Sequence, residues 1–144
     1  MKIYFDHEKL EVYQESLRFA AWCEGLLDRL PKSAAVRDQL DRARTSIVLN
    51  IPEGNGKFTA ADRCRFFDNA RGSALECAGC LDLISLKKLL AESDLDQGKS
   101  HLKSIVSMLV GLIRSNSPNR LHEEAGPYRT ESEMAVRASD RDQG

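Results

Sequence analysis

Cys77-Ala78-Gly79-Cys80 has the spacing at which two thiols can share a metal ion or a disulfide. A zinc site needs about four donors in tetrahedral approach. The remaining candidates are Cys23, Cys64, His7, His101 and His122, and no two of them form a second close pair. Cys77 also falls on a run of apolar residues, where cysteine behaves as a small hydrophobe. A redox pair of the thioredoxin type opens a helix after a strand, and no strand pattern is present. The expectation is no bound metal and no cofactor.

Other reactive groupings are as thin. Nucleophilic catalysis needs a nucleophile, a base and an orienting group. No histidine is placed by spacing beside Ser73 or a cysteine. The carboxylate pairs Asp38/Asp41 and Glu8/Glu11 read as solvated helix faces. Gly54-Asn55-Gly56-Lys57 could offer backbone N–H groups to a phosphate. It lacks the Gly-x-x-x-x-Gly-Lys-[Ser/Thr] pattern and follows a helix instead of a strand, so it reads as an interhelix turn. No catalytic residue is assigned, and the chain is read as a non-enzyme; a small enzyme using the Gly54 loop is the weakest alternative.

Positive charge is the remaining feature with chemical content. Arg37, Arg42, Arg44, Lys57, Arg63, Arg65 and Arg71 are interspersed with Asp38, Asp41, Glu53, Asp62 and Asp68, a local surplus of two. The whole chain has 21 Lys and Arg against 22 Asp and Glu, for a net charge of −1. Bulk charge therefore excludes a strongly basic nucleic-acid binder and leaves only a local patch. Arg37, Arg42, Arg44, Lys57, Arg63 and Arg65 are the candidate nucleic-acid contacts.

The elements that must position these residues are helical. The chain has 144 residues, 42% hydrophobic and 30% charged, with 6% aromatics, 9 Gly and 4 Pro. Length alone gives one domain able to bury a core without disulfide or metal. Leu10, Tyr13, Leu17, Ala20 and Leu27 form the first stripe, with Asp6 as its expected N-cap, a Phe5–Leu10 staple, and Leu30-Pro31 as its stop. Val36, Leu40, Ala43, Ile47 and Ile51 form the second, capped by Ser33 and bent or ended at Pro52. Phe67, Ala70, Ala74, Cys77, Leu81 and Ile84 form the third, with Thr59 and Asp62 at its start. Its apolar residues continue through Leu75, Leu83, Leu86, Leu89 and Leu90, more than one seam requires. Leu102, Ile105, Val106, Leu109, Leu112 and Ile113 form the fourth, with Ser93 or Asp94 as cap.

Four amphipathic helices with short connections predict an all-α, antiparallel up-down-up-down four-helix bundle over 1–116. The segment 117–144 has a Gly126-Pro127 break and no sustained period, and is read as a flexible polar tail. Arg71-Gly72-Ser73-Ala74-Leu75-Glu76 is unusual inside a helix. Glycine there costs ~1 kcal/mol relative to alanine, so close helix–helix approach is expected. Antiparallel pairing about 55–57 would bring Gly72 near Asp41 and Glu76 near Arg37. No apolar run reaches the ~18 residues of a membrane span, and Met1–Asp6 has no signal-peptide core. The expected setting is the cytoplasm, with reduced thiols.

These residues also carry a family resemblance. Arg42-Ala43-Arg44-Thr45-Ser46-Ile47-Val48-Leu49-Asn50-Ile51-Pro52-Glu53-Gly54-Asn55-Gly56-Lys57 resembles the "RRA-x-SI-x-x-NIAEG-x-G" signature of the bacterial four helix bundle proteins encoded in intervening sequences of 23S ribosomal RNA genes. Arg71-Gly72-Ser73-Ala74-Leu75-Glu76 resembles that family's "A-x-GS-x-x-E", and Leu10-Glu11-Val12-Tyr13 its "L-x-VW" opening. Tyr13 stands in place of the usual Trp, and Pro52 in place of Ala. The resemblance spans Phe5 to Ser115 and marks Asn50, Glu53, Gly54, Gly56, Arg71, Gly72, Ser73 and Glu76 as signature residues, read as structural. It implies a ring-shaped homopentamer without established catalytic activity. A related group, the accessory proteins of diversity-generating retroelements, binds nucleic acid and a reverse transcriptase, and is strongly basic where this chain is near neutral. The resulting expectation is an oligomeric scaffold partnered by RNA, DNA, a reverse transcriptase or another nucleic-acid enzyme. The alternative is a protein-binding adaptor with no nucleic-acid role.

Overall fold

Proline and a capping threonine punctuate the helical pattern at the first two connections, and a left-handed lysine at the third. The computed structural model describes residues 1–116, which form α1 (Glu11–Arg29), α2 (Ala35–Asn55), α3 (Ala60–Leu86) and α4 (Asp96–Asn116). The predicted tail at 117–144, with His122, lies outside the described residues.

α1 ends where Leu30 turns extended before Pro31. Its start differs from expectation. A short 3₁₀ turn, Asp6–Lys9, precedes it, and Leu10 is the N-cap without a side-chain hydrogen bond. Asp6 instead accepts a hydrogen bond from the Asn55 amide at 3.1 Å, tying the N-terminal segment to the end of α2. Glu8 accepts from the Phe5 N–H at 3.0 Å.

α2 is capped by Ala34, not Ser33, and runs through Pro52 to Asn55. Pro52 sits in the last turn, where its missing N–H costs one helical hydrogen bond, and the Gly56 N–H still closes onto the Pro52 carbonyl at 3.0 Å. Gly54 and Asn55 of the expected loop are thus helical, and the connection is 56–59. Thr59 then caps α3 as anticipated, its hydroxyl accepting from the Asp62 N–H at 3.2 Å.

α3 stops at Leu86 although the apolar run continues. Lys88 has φ 57°, a left-handed residue that reverses the chain, and the Leu89 N–H bonds to the Ile84 carbonyl at 3.1 Å. Leu89 and Leu90 fold back onto the core. A second 3₁₀ turn, Glu92–Leu95, leads into α4. Asp94, expected as a cap, holds Arg29 at 3.2 Å.

Each helix packs on the next, and α4 closes onto α1. The pairings run in opposite directions along every seam. Arg37 and Arg44 of α2 reach the Leu27 and Ala20 carbonyls of α1; Asp82 and Cys64 of α3 meet Lys99 and the Ile113 carbonyl of α4. The bundle is antiparallel, up-down-up-down. Phe19, Phe67, Leu40, Ile47, Leu81, Ile105 and Leu109 fill its centre, fully buried. Each such side chain contributes roughly 1.5–3 kcal/mol by leaving water.

Candidate functional site: the outer face of the second and third helices

The two signature motifs meet across the α2/α3 seam. Ser46 of α2 and Ser73 of α3 share a hydrogen bond at 2.7 Å, and the Asn50 amide donates to the Ser46 hydroxyl at 3.0 Å and to its carbonyl at 2.8 Å. Further along, the Gln39 amide donates to Glu76 at 2.7 Å. Gln39, Arg42, Ser46, Ser73 and Glu76 line one polar hollow. Beyond it a groove of about 800 Å³ opens between Ala35 and Val36 on α2 and Gly79, Leu83 and Leu86 on α3, with Cys80 in its wall.

The register corrects the sequence estimate. Glu76 faces Gln39, not Arg37, and Ser46 with Ser73 marks the crossing. The helical extension of α2 to Asn55 moves the turn toward α3, and every pair shifts with it.

Gly72 is also not where close approach occurs within the bundle. Among the described residues, a Cβ at Gly72 or at Gly79 would meet nothing within 4 Å. These two residues lie two turns apart on the side of α3 opposite its buried stripe, beside exposed Leu75, Leu83 and Leu86. Close approach occurs instead at Gly54, whose Cβ would lie 2.9 Å from Phe67 Cε1 and 3.0 Å from Phe66 Cβ. Gly56 is the C-cap of α2. Glu53 and Glu76 are exposed, so neither is a buried structural carboxylate. Arg71 lies 3.6 Å from Asp68, and its buried Nε has no hydrogen-bond partner among the described residues.

The six candidate cations do not form one surface. Arg37 donates to the Leu27 carbonyl at 3.1 Å. Arg44, 12% exposed, bonds the Ala20 carbonyl at 2.8 Å, Glu24 at 2.6 Å and Asp41 at 2.7 Å. Burial works against its charge, but the carboxylates of Asp41 and Glu24 hold its pKa above the ordinary value. These two arginines fasten α2 to α1. Arg42 is exposed beside the polar hollow. Lys57 and Arg65 stand over the Phe66 ring at the far end, 4.9 and 5.1 Å from its centroid. Arg63 is half-buried nearby in sequence, its Nε without a hydrogen-bond partner among the described residues. From Arg37 to the end of α2 at Asn55 is about 27 Å of helix at 1.5 Å per residue, and Lys57 lies beyond it.

Cys23, Cys64, Cys77 and Cys80 are buried and form no disulfide with one another. Burial pushes the Cys23 thiol up to about 12 and raises Cys77 and Cys80 as well. Such thiols stay protonated and are poor nucleophiles and poor ligands. Among the described residues, no three His, Cys, Asp or Glu side chains converge as a metal site.

Sequence reasoning missed Ser46 and Gln39, the partners that join the motifs, and Gly79, which repeats Gly72 seven residues on. That heptad spacing was a readable signal. It also missed the pairing of Glu15 with His101 across α1 and α4, which no local pattern announces.

The fold defines an all-helical bundle whose signature residues knit α2 to α3, while among the described residues nothing covers Gly72 and Gly79 on the back of α3. The chain belongs to the 23S rRNA-intervening sequence protein family, whose model matches residues 8–111. A crystal structure at 1.70 Å resolution, of a protein of unknown function from the S23 ribosomal protein family of Bacteroides thetaiotaomicron, shares the fold with TM-score 0.68. Its identity is 24%, over 72% of this chain and 98% of that one. Nothing among curated proteins matches. Among the described residues, no helix is long and apolar enough to cross a membrane.

Proposed function

We propose that the protein is a cytoplasmic, non-enzymatic scaffold that assembles with copies of itself through the back of α3, as a pentamer in the first instance. Its partner class is RNA, DNA, or a nucleic-acid enzyme such as a reverse transcriptase. One observation carries the assembly: Gly72 and Gly79 sit in the interior of α3 on its exposed face, with no neighbour at either Cβ among the described residues, beside exposed leucines. Each glycine costs ~1 kcal/mol of helix stability, and nothing inside the bundle requires it. A helix from a second copy could pack its backbone closely against that strip and cover Leu75, Leu83 and Leu86. Exposed apolar patches of this kind mark interfaces.

The partner class is supported by the family's association with ribosomal RNA genes and by Arg42, Lys57 and Arg65, which remain at the surface. The apolar groove beside Leu83 and Leu86 favours the protein-adaptor reading instead. Light scattering at micromolar concentration tests assembly, and titration of labelled RNA and DNA at two salt concentrations tests the partner. Nucleic-acid binding must fall steeply with salt; an apolar protein interface need not. A stable 16.1 kDa monomer would contradict the scaffold, and no binding at low salt would leave the adaptor reading.

A further inference from the structure

One end of the bundle gathers aromatic rings and cations that the core does not use. The Asp6–Asn55 hydrogen bond lays the N-terminal segment across the end of α2, beside the 56–59 connection. Tyr4 and Phe5 are 73% and 66% exposed, and Phe58 is fully exposed. Phe5 is held from one side by His7, ring on ring at 5.9 Å, and His7 is braced edge-on by Tyr13 at 4.7 Å. Cations stand beside these rings: Lys2 is 5.4 Å from the Tyr4 centroid, and Lys57 and Arg65 flank Phe66. Over positions 1–9 and 55–66, Lys2, Lys9, Lys57, Arg63 and Arg65 outnumber Asp6, Glu8 and Asp62. Asp6 and Glu8 are already engaged with Asn55 and the Phe5 N–H, and Asp62 lies 3.5 Å from Arg65.

We propose that this end, through Phe5, Phe58 and Tyr4 with Lys2, Lys57 and Arg65, binds single-stranded nucleic acid by stacking bases on the exposed rings while the cations meet the phosphates. The inference rests on the nucleic-acid part of the proposed function and gives it a location and a substrate class. Exposed rings offer a π-face to every base, but only where the base is free of a duplex stack. The small charge surplus argues the same way. A duplex binder draws its affinity from many phosphate contacts, and a chain of net charge −1 has few to give. Stacking supplies affinity that charge counting does not register. A second copy of the chain fits this end poorly, because an apolar contact over Tyr4 and Phe66 would take the charges of Lys2, Lys57 and Arg65 out of water.

The test uses the full chain and fluorescence anisotropy of a labelled oligouridylate about 20 nucleotides long, long enough for a stacking platform to engage. An oligothymidylate and a duplex of the same length are measured beside it, each over a series of salt concentrations. Phe58→Ala and Phe5→Ala remove exposed rings, so circular dichroism is expected to show unchanged helicity. Each is expected to weaken single-strand binding about tenfold with an unchanged salt slope. Lys57→Ala is expected to flatten the slope by about 0.7, and Lys32→Ala, at the opposite end, to change nothing. Wild-type affinity in both ring variants, or preference for the duplex, would overturn this site while leaving a nucleic-acid role elsewhere on the molecule. Absence of wild-type binding to all three probes at low salt would remove both.

Discussion

Gly98 of α4 lies flat against the indole of Trp22 of α1, so close that a Cβ there would stand 2.3 Å from Cη2 and Cζ3. The ring is held from its own helix by Phe19, stacked at 5.9 Å, and cannot move aside without disturbing the core. Gly98→Ala is therefore expected to destabilise the protein by about 1–3 kcal/mol, although alanine is the better helix former. Trp22 is the only tryptophan, so its fluorescence reports on this seam during urea unfolding. An unchanged midpoint and emission maximum would show that the contact does not exist in solution.

Arg44 fastens two helices, whereas Glu76 decorates a surface. Removing the Arg44 side chain leaves the Ala20 carbonyl without its donor and Glu24 and Asp41 without their cation. Arg44→Ala is expected to cost about 1–3 kcal/mol, and Asn50→Ala about 1 kcal/mol through the Ser46–Ser73 network. Glu76→Ala is expected to stay within about 0.5 kcal/mol in the isolated subunit. Chemical denaturation of the three variants checks the order; equal losses would refute it.

Glu15 makes stability depend on acid. Burial alone would raise its carboxyl, but hydrogen bonds from His101 and Arg18, with their charges, hold it below the ordinary 4.5. A carboxyl depressed on folding contributes stability above its unfolded value, and that contribution is lost as pH falls through the folded one. The Glu15 contribution is thus complete above about pH 4.5 and disappears on further acidification. Glu15→Gln is expected to be less stable near neutrality and flatter in acid. Parallel curves for the two proteins would show that the pair contributes nothing.

Helices were legible where one local signal dominated. Thr59 with Asp62, Leu30-Pro31 and the Phe67–Ile84 stripe all act within a few residues, and each does in the structure what its chemistry dictates. Pro52 misled because its local meaning is a helix end, while burial of Gly54 under Phe67 keeps the last turn helical. That error moved the register, and with it the partner of Glu76. The apolar residues past Leu86 were misread for a related reason: the reversal at Lys88, not hydrophobicity, decides where α3 stops. Arg37 and Arg44 counted as surface charge until the carbonyls of α1 were in place to receive them. Gly72 announced close packing that the bundle does not show; among the described residues the space at its Cβ is open, and only the proposed assembly would fill it.

Sedimentation velocity at micromolar concentration, on the wild type and on Gly79→Leu, tests that last point most directly. Within one subunit a leucine at position 79 meets open space and replaces a poor helix former, so helicity and thermal midpoint of the subunit are expected to hold or rise. Against a second helix the same side chain has no room. The account predicts a wild-type particle near five times 16.1 kDa and a variant shifted toward single subunits. A wild type that sediments as one 16.1 kDa chain, or a variant that assembles as the wild type does, would contradict it.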